Sequence, residues 1–95
     1  MRVVGVAAVG FTTSPTIADG ILVGKPGELN FAIIRDTVDE IVTVTEDEIS
    51  RAVLLLLERA KLVVEPAGAA AAAAVLAHPE AFEPPVAVVI SGGNV

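Results

Sequence analysis

Ser91, Gly92, Gly93 and Asn94 follow an apolar run, Val86 to Ile90, and are the residues best suited to chemistry. A hydroxyl, two bare glycines and an amide at the end of a strand suit a ligand edge, because parallel α/β sheets bind ligands beyond their carboxyl ends. Without Cβ atoms, Gly92 and Gly93 let backbone approach a ring or a phosphate closely. Glu65 is the second candidate. It stands beside Pro66 as either a carboxylate facing a ligand or an acid capping a helix start. A nucleophilic lysine needs burial or a cationic neighbour to lower its pKa. Lys25 sits in a Gly-Lys-Pro-Gly loop and Lys61 at a helix end near Arg59, so both are read as solvated and structural.

Other chemistries are excluded by what the chain lacks. There is no cysteine, hence no disulfide or thiolate nucleophile, and the single His78 rules out paired-histidine metal sites. Glu46, Asp47 and Glu48 read as a solvated, capped helix start rather than a metal cluster, and His78 as a cation at a helix C-terminus. The net charge is −6, and the six basic residues are scattered, which argues against nucleic-acid binding.

These residues must be held by a small scaffold. Ninety-five residues make one domain, 1–95, with no room for a second core. Hydrophobic residues make up 54% of the chain, yet the apolar run 52–57 is only six residues long. A membrane span needs ~18–20. A soluble, cytoplasmic protein is therefore expected. Residues 2–9 read as a strand buried on both faces and flanked by Gly10, 11–20 as a loop, and Ile21 to Val23 as a short apolar return. Glu28 to Val38 has helical period, and Glu40 to Val44 alternates as a short strand.

Thr45-Glu46-Asp47-Glu48 has the spacing of a capping box, so a helix is predicted from Glu46 to about Ala60. Its expected apolar stripe is Ile49, Val53, Leu56 and Leu57, widened by Leu54 and Leu55. Pro66 opens an alanine helix that ends at His78-Pro79, and Val86 to Ile90 is the final predicted strand. The fold class that follows is a small three-layer α/β unit with a short, mainly parallel sheet, in the order β-α-β-α-α-β.

Four segments, TIADG at 16–20, GELNFAIIRDTVDEIVTVTEDEI at 27–49, ERAKLVVEPAGAAAAAAVL at 58–76 and VVISGGNV at 88–95, share one resemblance. In this order and spacing they resemble the C-terminal part of the catalytic domain of threonine dehydratases and serine racemases. These are pyridoxal-phosphate enzymes of the tryptophan-synthase-β-like fold. The resemblance implies that Ser91 contacts the pyridine nitrogen of the cofactor, with Gly92 in the same motif. It also implies that Gly20 lies beside the cofactor and that Glu65 lies near the ring and substrate. A neutral hydroxyl at the nitrogen tempers the ring as an electron sink.

The family's cofactor-bearing lysine stands in a Ser-x-Lys-x-Arg-Gly context, and its phosphate loop is glycine-rich; neither is present in this sequence. The expectation is a threonine-dehydratase-like fragment that binds no cofactor and is inactive by itself, with no catalytic residue or metal ligand of its own. One alternative is a part of a split enzyme, completed by a complementary fragment. Another is a stand-alone small-molecule-binding module. The mean hydropathy of +0.75 also leads us to expect self-association.

Overall fold

The structure is a computed structural model that describes residues 1–8 and 27–94. Strand β1 (Val4–Ala8) pairs in parallel with β2 (Glu40–Val44), in a register running from Val4 opposite Glu40 to Ala8 opposite Val44. The start of the ladder is clamped at Asp39. Its Oδ2 accepts the Val3 N–H at 2.6 Å, and its own N–H donates to the Val3 carbonyl at 2.8 Å. Arg2 adds an ion pair to Glu40.

Helix α1 (Glu28–Thr37) leads into β2, with Glu28 in its first turn and Arg35 in its last, the arrangement that complements a helix dipole. None of its residues is buried, and Leu29 is 73% exposed. Helix α2 (Glu46–Leu55) starts at the expected capping box. The Glu48 N–H donates to Thr45 Oγ1 at 3.1 Å, and the Thr45 N–H donates to Glu48 Oε1 at 2.8 Å. The helical path reaches Ala60 as predicted, but its last turn, Leu56–Ala60, is a π-helix. Lys61 closes it in the left-handed region at φ 58°, and its Nζ donates to the Glu58 carbonyl at 2.7 Å. The ammonium thus satisfies one of the carbonyls that a helix C-terminus leaves open. A 3-10 turn (Ala67–Ala69) then runs into α3 (Ala70–Ala77), and a second 3-10 turn (Pro79–Ala81) follows.

Among the described residues, nine hydrophobic ones are buried: Val44, Ile49, Ala52, Val64, Ala69, Ala70, Ala72, Ala73 and Ala74. Six of them are alanines, so this core gains cohesion from close approach more than from side-chain volume. Helix α3 packs on α2 and on both strands.

The α/β class and the short parallel sheet are as expected, and three details differ. First, Val86 to Ile90 joins no ladder; among the described residues the sheet has two strands. An apolar run signals an extended, partly covered segment, but a strand also needs a free neighbouring edge, and this segment instead ends against Val63 to Gly68. Second, β1 is half-buried along its length rather than covered on both faces, because two strands leave part of each face open. Third, the inward stripe of α2 is Ile49, Ala52, Val53 and Leu56, while Leu54, Leu55 and Leu57 face outward at 54%, 40% and 48% exposure. The small Ala52, rather than another leucine, faces the alanine helix. No helix among the described residues is long and apolar enough to cross a membrane.

Candidate functional site

The EPAG and SGG segments, far apart in sequence, meet in the structure. The Glu65 N–H donates to the Gly92 carbonyl at 3.2 Å, tying the start of the alanine helix to the end of the apolar run. Contact is bare backbone on bare backbone. A Cβ added to Gly68 would overlap the Gly92 carbonyl oxygen and stand 2.7 Å from its nitrogen, and one added to Gly93 would stand 2.7 Å from the Val63 carbonyl oxygen. A Cβ on Gly92 would overlap Glu65 Oε1, so the carboxylate occupies the space that Gly92 leaves empty.

Three of the four expected site residues are therefore brought together. Glu65 is half-buried over Gly92, and Ser91 next to it is exposed. Gly20 lies outside the described residues, as does Lys25. Glu65 does not act as a helix cap: the N-cap position of the 3-10 turn is Pro66, with no side-chain cap hydrogen bond. Its carboxylate is instead directed to Gly92. Lys61 is committed to closing the π turn through Glu58, as its structural reading requires. Sequence reasoning misses Gly68. Its signal is a lone glycine in an alanine helix, where it costs ~1 kcal/mol against alanine and so implies a packing reason.

Elsewhere, His78 ends α3 and reaches the capping box of α2, its Nε2 lying 3.1 Å from Glu48 Oε2 and its Nδ1 3.7 Å from Glu80. The Thr45 backbone N–H is the main reason that the Glu48 carboxyl is held below its ordinary value of 4.5; the Thr45 hydroxyl and His78 add to it, and partial desolvation opposes it. A carboxyl lowered in the folded state contributes stability above its unfolded pKa and loses it as pH falls through the folded value. Glu48→Gln is therefore expected to cost up to about 1 kcal/mol at pH 6, given the partly exposed pairing. The gap to wild type should close as the pH falls through the lowered folded-state value. Thermal unfolding from pH 6 to pH 3 measures this, and a gap that widened on acidification would refute the assignment. A shallow groove lined by Glu48, Arg51, Leu55, Ala73, Leu76 and Ala77 shares no residue with the Glu65–Ser91 edge.

Comparison with known proteins decides the family. The profile of the pyridoxal-phosphate dependent enzymes matches residues 2–92. The chain belongs to that family. An L-threonine ammonia-lyase of Thermotoga maritima is 54% identical over 81 residues, which is 85% of this chain and 20% of that protein. Human serine racemase is 49% identical over 84 residues, 84% of this chain and 24% of that protein. The crystal structure of a T.th. threonine deaminase superposes with a TM-score of 0.83 at 43% identity, covering 87% of this chain and 30% of that one. The chain thus spans about a fifth to a third of the proteins it matches.

Pyridoxal phosphate is the group that membership of this pyridoxal-phosphate dependent enzyme family implies. The residues fit one edge of it: an exposed Ser91, followed by Gly92, on which the Glu65 carboxylate is packed. Among the described residues, this edge is not accompanied by a free lysine amine, since Lys61 is engaged at Glu58.

Proposed function

We propose that this chain is the ring-nitrogen side of a threonine-dehydratase-like catalytic domain, a family member that deaminates L-threonine or L-serine only when the rest of the domain is present. The meeting of Glu65, Gly92 and Ser91 on one edge is the observation that carries this reading. When bound, pyridoxal phosphate supplies an electron sink for bonds at the substrate α-carbon. Ser91 offers a neutral hydroxyl, which hydrogen-bonds a ring nitrogen without charging it. Glu65 places a carboxylate on Gly92, the residue that follows Ser91, so a charged group lies at the same edge.

A second reading, one part of a split enzyme, is favoured by helix α1. Its Leu29, Phe31, Ile33 and Ile34 are all exposed, and a helix apolar on more than one side is normally covered. The same surface supports self-association when no complementary fragment is supplied. A cytoplasmic setting accords with the absence of cysteine.

The test uses the chain with pyridoxal phosphate and L-threonine, assayed for the 2-oxo acid. No turnover is expected until the separately expressed N-terminal portion of a threonine dehydratase is added, and turnover is expected after mixing. Turnover by the chain alone, or a mixture that neither co-elutes nor reacts, contradicts the proposal.

A further inference from the structure

We propose that Gly68 is a positioning residue for Ser91: it is the bare seat on which the Gly92 peptide rests, and it sets where the Ser91 hydroxyl stands relative to Glu65. This rests on the cofactor-edge reading given above. The three glycines of the seam are not equivalent. At Gly92 an added Cβ meets only side-chain atoms of Glu65, with Cδ at 3.2 Å, and the end of a flexible chain can swing away. At Gly68 the obstructing atoms are the oxygen, nitrogen and carbonyl carbon of Gly92, the last at 3.1 Å. None of these can yield without moving the segment that carries Ser91.

Alanine would be the better helix former at this position by about 1 kcal/mol, and alanines follow it without interruption from Ala69 to Ala74. Glycine is kept at one buried position where local preference argues against it, and such conflicts mark places where the site's geometry takes precedence. An added methyl group lifts the Gly92 peptide and lengthens the Glu65 N–H bond to its carbonyl, now 3.2 Å. Displacing a contacting group by about 1 Å is enough to weaken a positioned interaction by one or two orders of magnitude.

The experiment compares amide spectra of the 15N-labelled chain with those of Gly68→Ala, then mixes each with the N-terminal portion of a threonine dehydratase and titrates the mixtures with pyridoxal phosphate. In Gly68→Ala the amides of Glu65, Ser91, Gly92 and Gly93 are expected to move, while those of Thr45 and Glu48 and the helical circular dichroism stay unchanged. Wild-type Ser91 and Gly92 amides should respond saturably to pyridoxal phosphate, and the variant should bind about ten-fold more weakly.

Unmoved Ser91 and Gly92 resonances in the variant overturn the positioning role, as does unchanged affinity despite moved resonances. A wild-type mixture whose Ser91 and Gly92 amides do not respond to pyridoxal phosphate sinks the cofactor-edge reading instead, and with it the purpose given to Gly68. If Gly68→Ala does not fold, the seat is tested in the wild-type chain by the contact between the Gly68 α-protons and the Gly92 amide. That contact is expected as a nuclear Overhauser effect, and its absence overturns the proposal.

Discussion

Ile49→Ala is expected to lower stability by roughly 2–5 kcal/mol, the range for emptying a fully buried aliphatic site. Ile49 is 0% exposed, among the described residues one of the two largest side chains to be fully buried, and it shares its cluster with Val44, Val64 and six alanines. Alanine neighbours have no long side chains to swing into the void, so the site cannot collapse and the upper half of the range applies. Total stabilities of small domains are only ~5–15 kcal/mol, so the loss is a large fraction of what holds this chain together. In a domain of this size each kcal/mol shifts the thermal midpoint by about 4–8 °C. A fall of well over about 10 °C in the circular-dichroism melt is therefore expected. A shift of only a few degrees would show that the cluster around Ile49 is looser than its burial indicates.

Ala73→Leu is the complementary case, in which adding volume does the damage. Ala73 is 1% exposed on α3, which packs against α2, β1 and β2. Helices faced with alanine come nearer to their neighbours than helices faced with leucine. Ala73 lies beside Glu48, Arg51 and Leu55 of α2, so three extra carbons at this position must separate α3 from α2. Overpacking of this kind costs about 1–3 kcal/mol, occasionally more. Because α3 continues from the 3-10 turn that seats Gly92, the strain is expected to reach Ser91 as well. Leu76→Ala on the same helix, at a side chain 47% exposed, is the control and should stay within about 0.5 kcal/mol of wild type. Urea midpoints of the three proteins measure the difference. Equal midpoints for Ala73→Leu and wild type would mean that α3 has room to spare against α2.

Ile49 heads the stripe expected from the sequence, whereas the weight of Ala73 is visible only in the structure. In a run of six alanines, composition distinguishes none of them, yet Ala73 is buried while Ala71 is only half-covered. The leucines of α2 mislead in the opposite sense. Leu54, Leu55 and Leu57 are as apolar as any core residue, but they face outward, because the helix turns its small Ala52 and its Ile49 toward α3. An apolar residue that lies off the inward stripe is legible as apolar, but what covers it is not.

Sequence signals suffice where the physics is local. The Thr45–Glu48 box satisfies its two amides within one turn and depends on nothing distant, so spacing alone places it. The alternation of Glu40 to Val44 likewise marks β2 residue for residue. The final apolar run reads as a strand because hydrophobicity reports burial, whereas pairing depends on which edge lies near. That is a property of the whole arrangement.

The α/β class, the helix starts and the motif family follow from the amino-acid order alone, since these depend on side-chain periodicity, capping and residue identity at short range. The same order marks Ser91, Gly92 and Glu65 as candidates. It took the folded chain to show that these three form one edge, that Glu65 serves Gly92 rather than a helix cap, and that Gly68 is the seat beneath them. The reason is steric: a missing Cβ has no meaning along the chain until another backbone comes close enough to need the space.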